Sequence, residues 1–133
     1  MNSFIKKNII IELVIIYILI LSSVIYLVFF ANHKNEYEEL LINVGSDFYE
    51  NFYYKNINND KEEKYNFLEK YKDIGIKINL NNLKKYNYEK NSRIIKKFEE
   101  KNCNNEISKV IIYPYSPYNI NDYKIEAKIE CEF

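Results

Sequence analysis

The stretch that decides the fold is IIIELVIIYILILSSVIYLVFFA, residues 9–31. It carries one acid, Glu12, and from Leu13 to Ala31 it contains neither a charged residue nor a proline. A helix rises about 1.5 Å per residue, so this stretch reaches the ~30 Å thickness of a bilayer core. Because lipid offers backbone amides no hydrogen-bonding partner, a single span has to be helical. The sequence therefore predicts a transmembrane helix over residues 8–31.

The charged residues on either side of this helix predict its orientation. Lys6 and Lys7 precede it, whereas the residues after it show no basic excess. The positive-inside rule then makes Lys6 and Lys7 a cytoplasmic anchor and places residues 32–133 outside the cell membrane. The apolar run exceeds the core of an ordinary signal peptide, and residues 29–31 make a poor cleavage site. We therefore expect a retained single-pass anchor rather than a cleaved signal.

Length and charge limit what the remaining residues form. The chain has 133 residues, so about 100 remain outside a bilayer, which suffices for one small domain. Lys and Arg number 19, as do Asp and Glu, and the two signs are interspersed after residue 33. Nucleic acid is therefore not an expected partner.

Helical periodicity predicts that the N-terminal helix continues to about residue 55. One face is apolar: Tyr37, Leu40, Leu41, Val44, Phe48 and Phe52. The other face is polar: Glu38, Glu39, Asn43, Asp47 and Glu50. Such a stripe is typical of an amphipathic helix packed on a domain. Gly45 interrupts the pattern and is a candidate bend, since a lone glycine weakens a helix by ~1 kcal/mol relative to alanine.

The middle of the chain alternates between helix and strand signals. After a polar break at residues 56–60, Asp60 and Glu63 resemble a helix start, and Tyr65, Leu68 and Tyr71 line one side of that short helix. Alternating apolar residues over 74–80 predict a strand. Residues 81–82 are a plausible turn and 83–88 a returning strand. Ser92 is a candidate cap of a further helix with Ile94, Ile95 and Phe98 facing inward.

The last quarter carries the clearest strand signal. Residues 107–113 are rich in β-branched and aromatic side chains, and residues 123–132 alternate strictly between apolar and charged. This predicts an antiparallel pair with one buried face, joined by a proline-containing loop at 114–119. Together these patterns predict an α+β domain in which a small antiparallel sheet packs on the amphipathic half of the helix.

The sequence allows two interpretations of the cysteines Cys103 and Cys131, a disulfide or two free thiols. If the strands pair about a centre near residues 116–118, the cysteines fall almost opposite each other, at roughly 4.5–5.5 Å between Cα atoms, which a disulfide can span. A disulfide would persist outside the cell, whereas two buried free thiols are the alternative. A metal site is not expected, because the only histidine, His33, lies beside the membrane.

Residues for catalysis are sparse. The chain has one histidine and two glycines, with no phosphate-binding loop and no arrangement of nucleophile and base. We expect no enzyme activity and no cofactor. The 14 tyrosines are expected mainly in the core and at its rim, with a sugar or peptide platform as the alternative.

The segment Asn8 to Ile16, NIIIELVII, resembles the N-terminal motif of type IV pilins and type II secretion pseudopilins. In that family a short basic leader precedes an apolar helix. A glutamate, fifth after the cleavage point, pairs with the N-terminal amine of a neighbouring subunit. The resemblance implies that residues 1–7 are the leader and that Glu12 is an assembly residue. It also implies other pilin-like subunits and an assembly platform as partners, besides the lipid bilayer.

Two further features of this segment bear on the resemblance to pilins. The family peptidase cuts after a glycine, whereas Lys7 stands at that place here, and no glycine precedes Gly45. Glu12 also lies only one turn from the cytoplasmic interface, where it could reach towards Lys7 or Asn8. The expected function is a non-catalytic subunit of a pilus or pseudopilus. The alternative is a membrane-anchored extracytoplasmic binding or sensor domain unrelated to pilins.

Overall fold

The computed structural model describes the backbone of residues 3–86 and 88–133, and the side-chain environments of residues 9–86 and 91–133. The chain falls into two compact units, one ending at Lys34 and the other spanning Asn35–Phe133. Its elements in chain order are α1 (Ser3–Phe48), a π-helical turn (Tyr49–Tyr53), α2 (Tyr54–Asn56), α3 (Lys61–Tyr71), β1 (Ile76–Asn79), α4 (Leu80–Lys85), α5 (Tyr88–Glu100), β2 (Lys109–Pro114) and β3 (Tyr123–Lys128).

The first unit is the apolar part of α1. Every side chain from Ile9 to Asn32 is exposed, and this helix is long and apolar enough to cross a membrane. The hydroxyls of Ser22 and Ser23 donate to the carbonyls of Leu19 and Ile20, at 2.9 and 2.7 Å. The two serines are therefore satisfied within the helix itself, as a helix in lipid requires.

The second unit begins with the amphipathic part of α1. Tyr37, Leu41, Val44 and Phe48 are all buried, which confirms most of the predicted stripe. Leu40 packs against the core but is only partly buried. The prediction failed at Phe52, whose side chain is 46% exposed.

A π-helical turn explains the error at Phe52. α1 ends at Phe48, and the N–H of Tyr54 donates to the carbonyl of Tyr49, five residues back rather than four. The wider turn rotates the following side chains relative to an α-helix. Phe52 lies within this turn and is exposed. Tyr49, which the periodicity did not select, begins the turn and is fully buried.

Three antiparallel strands form one sheet in the order β1-β2-β3. β2 is central, and Val110 and Ile112 on it are fully buried. Both C-terminal strands were predicted, but they are shorter than expected, since β2 begins at Lys109 and β3 ends at Lys128. β3 alternates between half-buried and exposed residues, as its sequence indicated.

The outer part of α1 lies on this sheet, as predicted. A Cβ added to Gly45 would lie 2.7 Å from both γ-carbons of Val110. The Tyr49 and Tyr123 rings also meet, with centroids 4.9 Å apart. Gly45 therefore permits close contact between α1 and β2, and the helix continues through it to Phe48.

The short helices confirm one predicted cap and correct another. Asp60 accepts hydrogen bonds from the N–H groups of Glu62 and Glu63 and begins α3, as expected. Leu68 is buried on α3, whereas Tyr65 is 43% exposed. Ser92 does not cap α5, because that helix already begins at Tyr88. Ile95 and Phe98 nevertheless face the core as predicted, and Ile94 packs at its edge.

The predicted returning strand at 83–88 is wrong. β1 ends at Asn79, whose side chain accepts from the N–H of Asn82 and so caps α4. Asparagine suits a helix cap as well as a turn, and the sequence around residues 81–82 was interpreted as the turn. Leu80 and Leu83 are buried on α4. Residue 87, at the end of the predicted strand, lies outside the described residues.

Candidate functional site

Glu12 lies among apolar side chains on the exposed part of α1. The described residues one turn away on the same face, Ile9, Ile15 and Ile16, are 45–52% exposed. Lys6 and Lys7 lie in the same helix, and their side chains are outside the described part of the chain. Among the described side chains, Glu12 therefore places a carboxyl group on an otherwise apolar part of the helix surface.

Cys103 and Cys131 form a disulfide, with 4.0 Å between their Cα atoms. The N–H of Asn104 donates to the carbonyl of Glu130, and that of Glu132 donates to the carbonyl of Lys101, at 2.8 and 2.9 Å. Both cysteines lie beyond the strands, since β2 and β3 pair from Lys109–Lys128 to Pro114–Tyr123. The strand pairing is centred between Tyr118 and Asn119, close to the predicted centre. The predicted pairing of Cys103 with Cys131 is present, although the segment after α5, and not β2, brings Cys103 into place.

Tyrosines join the helix to the sheet. The Tyr49 ring contacts those of Tyr53, Tyr54 and Tyr123, and burial, aided by the neighbouring tyrosines, raises the Tyr49 pKa well above its usual value. The Tyr123 hydroxyl donates to Glu50 Oε1 at 2.5 Å. Burial and then this hydrogen bond raise the Tyr123 pKa. These side chains thus belong to the core rather than to a binding platform.

An aromatic cleft of about 480 Å³ opens beside the π-helical turn. Its described lining consists of Phe48, Phe52, Asn82, Lys85 and Tyr86. Ring centroids are 4.9 Å apart for Phe48 and Tyr86 and 5.3 Å apart for Phe52 and Tyr86. Lys85 is exposed, in contrast to Lys84, which lies 3.4 Å from a carboxylate oxygen of Glu99. A second hollow of about 320 Å³ also borders Phe52.

This cleft was not predicted from the sequence. Its two walls come from the π-helical turn and from α4, and the sequence predicted an ordinary helix and a strand at those places. The one available signal was the cluster of aromatic residues around Phe52 and Tyr86. Among the described residues, no group of three or more histidine, cysteine or acidic side chains could hold a metal ion.

Comparison with known proteins gives no relative. No protein-family model, no curated protein and no solved structure matches this chain. Its function is therefore inferred from the two surfaces described above, namely the exposed helix with Glu12 and the aromatic cleft.

Proposed function

We propose that this protein is a membrane-anchored, non-catalytic subunit of a pilin-like assembly. Residues 9–31 cross the cell membrane, the N-terminus is cytoplasmic, and the domain of residues 32–133 lies outside. The observation that carries the proposal is the exposed apolar surface of α1 from Ile9 to Ala31, which contains the single acid Glu12.

Exposure of the apolar helix supports the anchor. Ile25, Tyr26 and Leu27 near its outer end are 64–67% exposed. Transfer of apolar surface out of water is worth roughly 25 cal/mol per Å², so a surface of this extent needs lipid or other apolar helices around it. A membrane satisfies this requirement around the whole circumference.

Charge and redox chemistry support the orientation. Lys6 and Lys7 precede the apolar run, and basic residues are retained on the cytoplasmic side. The Cys103–Cys131 disulfide requires an oxidising compartment, which lies on the opposite side of the membrane. Both observations favour an extracytoplasmic domain.

Glu12 supports assembly. An acid within a membrane span is expensive and is usually paired or functional. In the pilin arrangement, Glu12 pairs with the N-terminal amine of a neighbouring subunit, and wrong helix registers leave the acid unpaired. Since Lys7 occupies the place of the peptidase-site glycine, cleavage after Lys7 would have to create that amine.

The aromatic cleft favours a second candidate function. A concave apolar site with a few polar groups is typical of ligand-binding proteins. On this alternative, the helix is only an anchor, and the domain is an extracytoplasmic binding or sensor module.

Two measurements on the full chain test the proposal. Intact mass and N-terminal sequence of the membrane-extracted protein should show loss of residues 1–7. Glu12→Gln should insert into the membrane normally but co-purify poorly with partner subunits, because the neighbouring amine loses its counter-charge. Glu12→Asp should restore co-purification. Glu39→Gln is the control, since it removes an exposed acid from the outer part of α1.

An intact Met1 would overturn the pilin mechanism, as would full assembly of the Glu12→Gln protein. Either result would leave the anchored binding module as the better description.

A further inference from the structure

The aromatic cleft beside Phe52 is lined mainly by aromatic rings. Phe48, Phe52 and Tyr86 form a continuous ring surface, since all three ring pairs have centroids within 5.4 Å. Phe48 is buried beneath this surface, whereas Phe52 remains 46% exposed. The π-helical turn holds Phe52 there, so the domain keeps a large apolar ring in contact with solvent.

The polar groups of the cleft are few. The described lining offers the amide of Asn82, the ammonium of Lys85 and the hydroxyl of Tyr86. A sugar or another polyol would leave most of its hydroxyls without partners against the aromatic rings, and unpaired buried polar groups weaken binding. A ligand with an apolar body and a single polar head fits this lining better.

Charge then selects the head group. Lys85 is exposed at the cleft, while the adjacent Lys84 faces Glu99. An ammonium beside an apolar cleft favours an anion, and a carboxylate could also accept a hydrogen bond from the Asn82 amide. The ligand class is therefore an apolar ring or short chain that carries one carboxylate.

We propose that the cleft formed by Phe48, Phe52, Asn82, Lys85 and Tyr86 binds small amphipathic carboxylates. The apolar body lies against the Phe52 and Tyr86 rings, and the carboxylate faces Lys85 and Asn82. This site is independent of Glu12 and of pilin-like assembly, so it can be tested separately from the proposed function.

The test uses the full chain in lipid nanodiscs, with empty nanodiscs as the blank for partition into lipid. Phenylpropionate is the probe, and phenylpropanamide is its neutral counterpart of almost the same shape. Isothermal titration should give saturable binding of phenylpropionate and weaker binding of the amide. A photoactivatable benzoylbenzoate should label peptides that contain residues 48–56 and 80–86.

Two variants separate the contributions of charge and ring. Lys85→Gln should weaken phenylpropionate binding by about fivefold, the effect of one exposed ion pair, and leave the amide unchanged. Phe52→Ala should weaken both probes by about tenfold or more, because both lose the ring contact. Lys77→Gln and Tyr115→Ala remove an exposed lysine and a 51% exposed tyrosine outside the cleft. They should bind both probes as the wild type does.

Several results would overturn this inference. One is phenylpropionate binding that does not exceed that of empty nanodiscs. A second is equal affinity for the acid and the amide. Photolabelling elsewhere on the domain, or an affinity that Lys85→Gln leaves unchanged, would do so as well. Phe52 and Lys85 are exposed, and circular dichroism of both variants checks that the domain still folds.

Discussion

Residues 9–31 and residues 37–49 are both helical, yet their side chains have opposite environments. In the first region every side chain is exposed, although almost all are apolar. In the second, one face is buried under the sheet and the other carries acids and amides. The difference lies in periodicity. A stripe at helical spacing can be covered by the chain's own domain, whereas an apolar surface around the whole helix needs lipid or neighbouring helices.

The largest expected effect is a difference in the free energy of unfolding between two leucine-to-alanine variants, one in each helical region. Leu41 is fully buried and Leu19 is 63% exposed. Leu41→Ala should lower the free energy of unfolding of the domain by about 3–5 kcal/mol, because it leaves a cavity in the core. Leu19→Ala should leave it unchanged. Denaturant titration of both variants, followed by tyrosine fluorescence, makes the measurement.

Equal losses of stability in these two variants would contradict the comparison, because they would mean that residue 19 also contributes to the folded core.

Loss of the disulfide should lower the free energy of unfolding of the domain almost as much, and it should not affect residues 9–31. Cys103 and Cys131 are separated by 28 residues in sequence. In the chain-entropy model, closure of a loop of this length stabilises the domain by roughly 3–4 kcal/mol. Denaturant titration with and without reductant should show this loss.

Non-reducing mass mapping of protein extracted under alkylation should show the linked peptides. If both thiols are free, the disulfide is contradicted, and the outside orientation keeps only the charge asymmetry at Lys6 and Lys7 as support.

A smaller effect is expected where α1 meets β2. Gly45→Ala should destabilise the domain by about 1–3 kcal/mol, because the new methyl group overlaps the Val110 side chain. Helix propensity alone predicts the opposite, a gain of ~1 kcal/mol. The control is Asn43→Ala at an exposed position of the same helix, which should gain a little stability.

The Gly45 variant is also informative when combined with Val110→Ala, which removes the overlap. Destabilisation that persists undiminished in the double variant would show that contact with Val110 is not the cause.

The smallest effect is a pH dependence in the tyrosine core. Burial raises the pKa of Tyr49 and Tyr123 in the folded domain. The domain therefore retains these protons above pH 10, where the unfolded chain has released them. Stability is fully present below that pH and falls as the pH rises. Tyr49→Phe should make the fall of the unfolding free energy with pH less steep. The difference in slope should not exceed about 1.4 kcal/mol per pH unit, the limit for one proton.

Stability curves for the wild type, Tyr49→Phe and the exposed Tyr115→Phe test this expectation. The control should follow the wild type. A Tyr49→Phe curve with an unchanged slope above pH 10 would be evidence against it.

The sequence predicted the elements whose signal is periodic and local. The apolar helix, the buried stripe up to Phe48, the cap at Asp60 and the two C-terminal strands all follow from patterns within a few residues. The errors arose where two local structures share a signal. Asn79 to Asn82 suits both a turn and a helix cap, and the choice depends on Leu80 and Leu83, which the domain buries.

The candidate sites divide in the same way. Glu12 stands out in sequence because one acid interrupts a long apolar run. The aromatic cleft could not be predicted, since its walls depend on a π-helical turn that no periodicity indicates. The Cys103–Cys131 pair was predicted from the sequence, although the segment that carries Cys103 is not part of β2.

Our central proposal is that residues 9–31 span the membrane and residues 32–133 fold outside it. The most direct test is proteinase K treatment of cells whose outer layers have been removed but whose cell membrane is intact. Mass spectrometry then identifies the fragments that remain in carbonate-washed membranes. We predict digestion of the domain and a protected membrane fragment that contains residues 9–31. A domain that resists the protease until the cells are lysed, or a protein that carbonate releases into solution, would contradict the account.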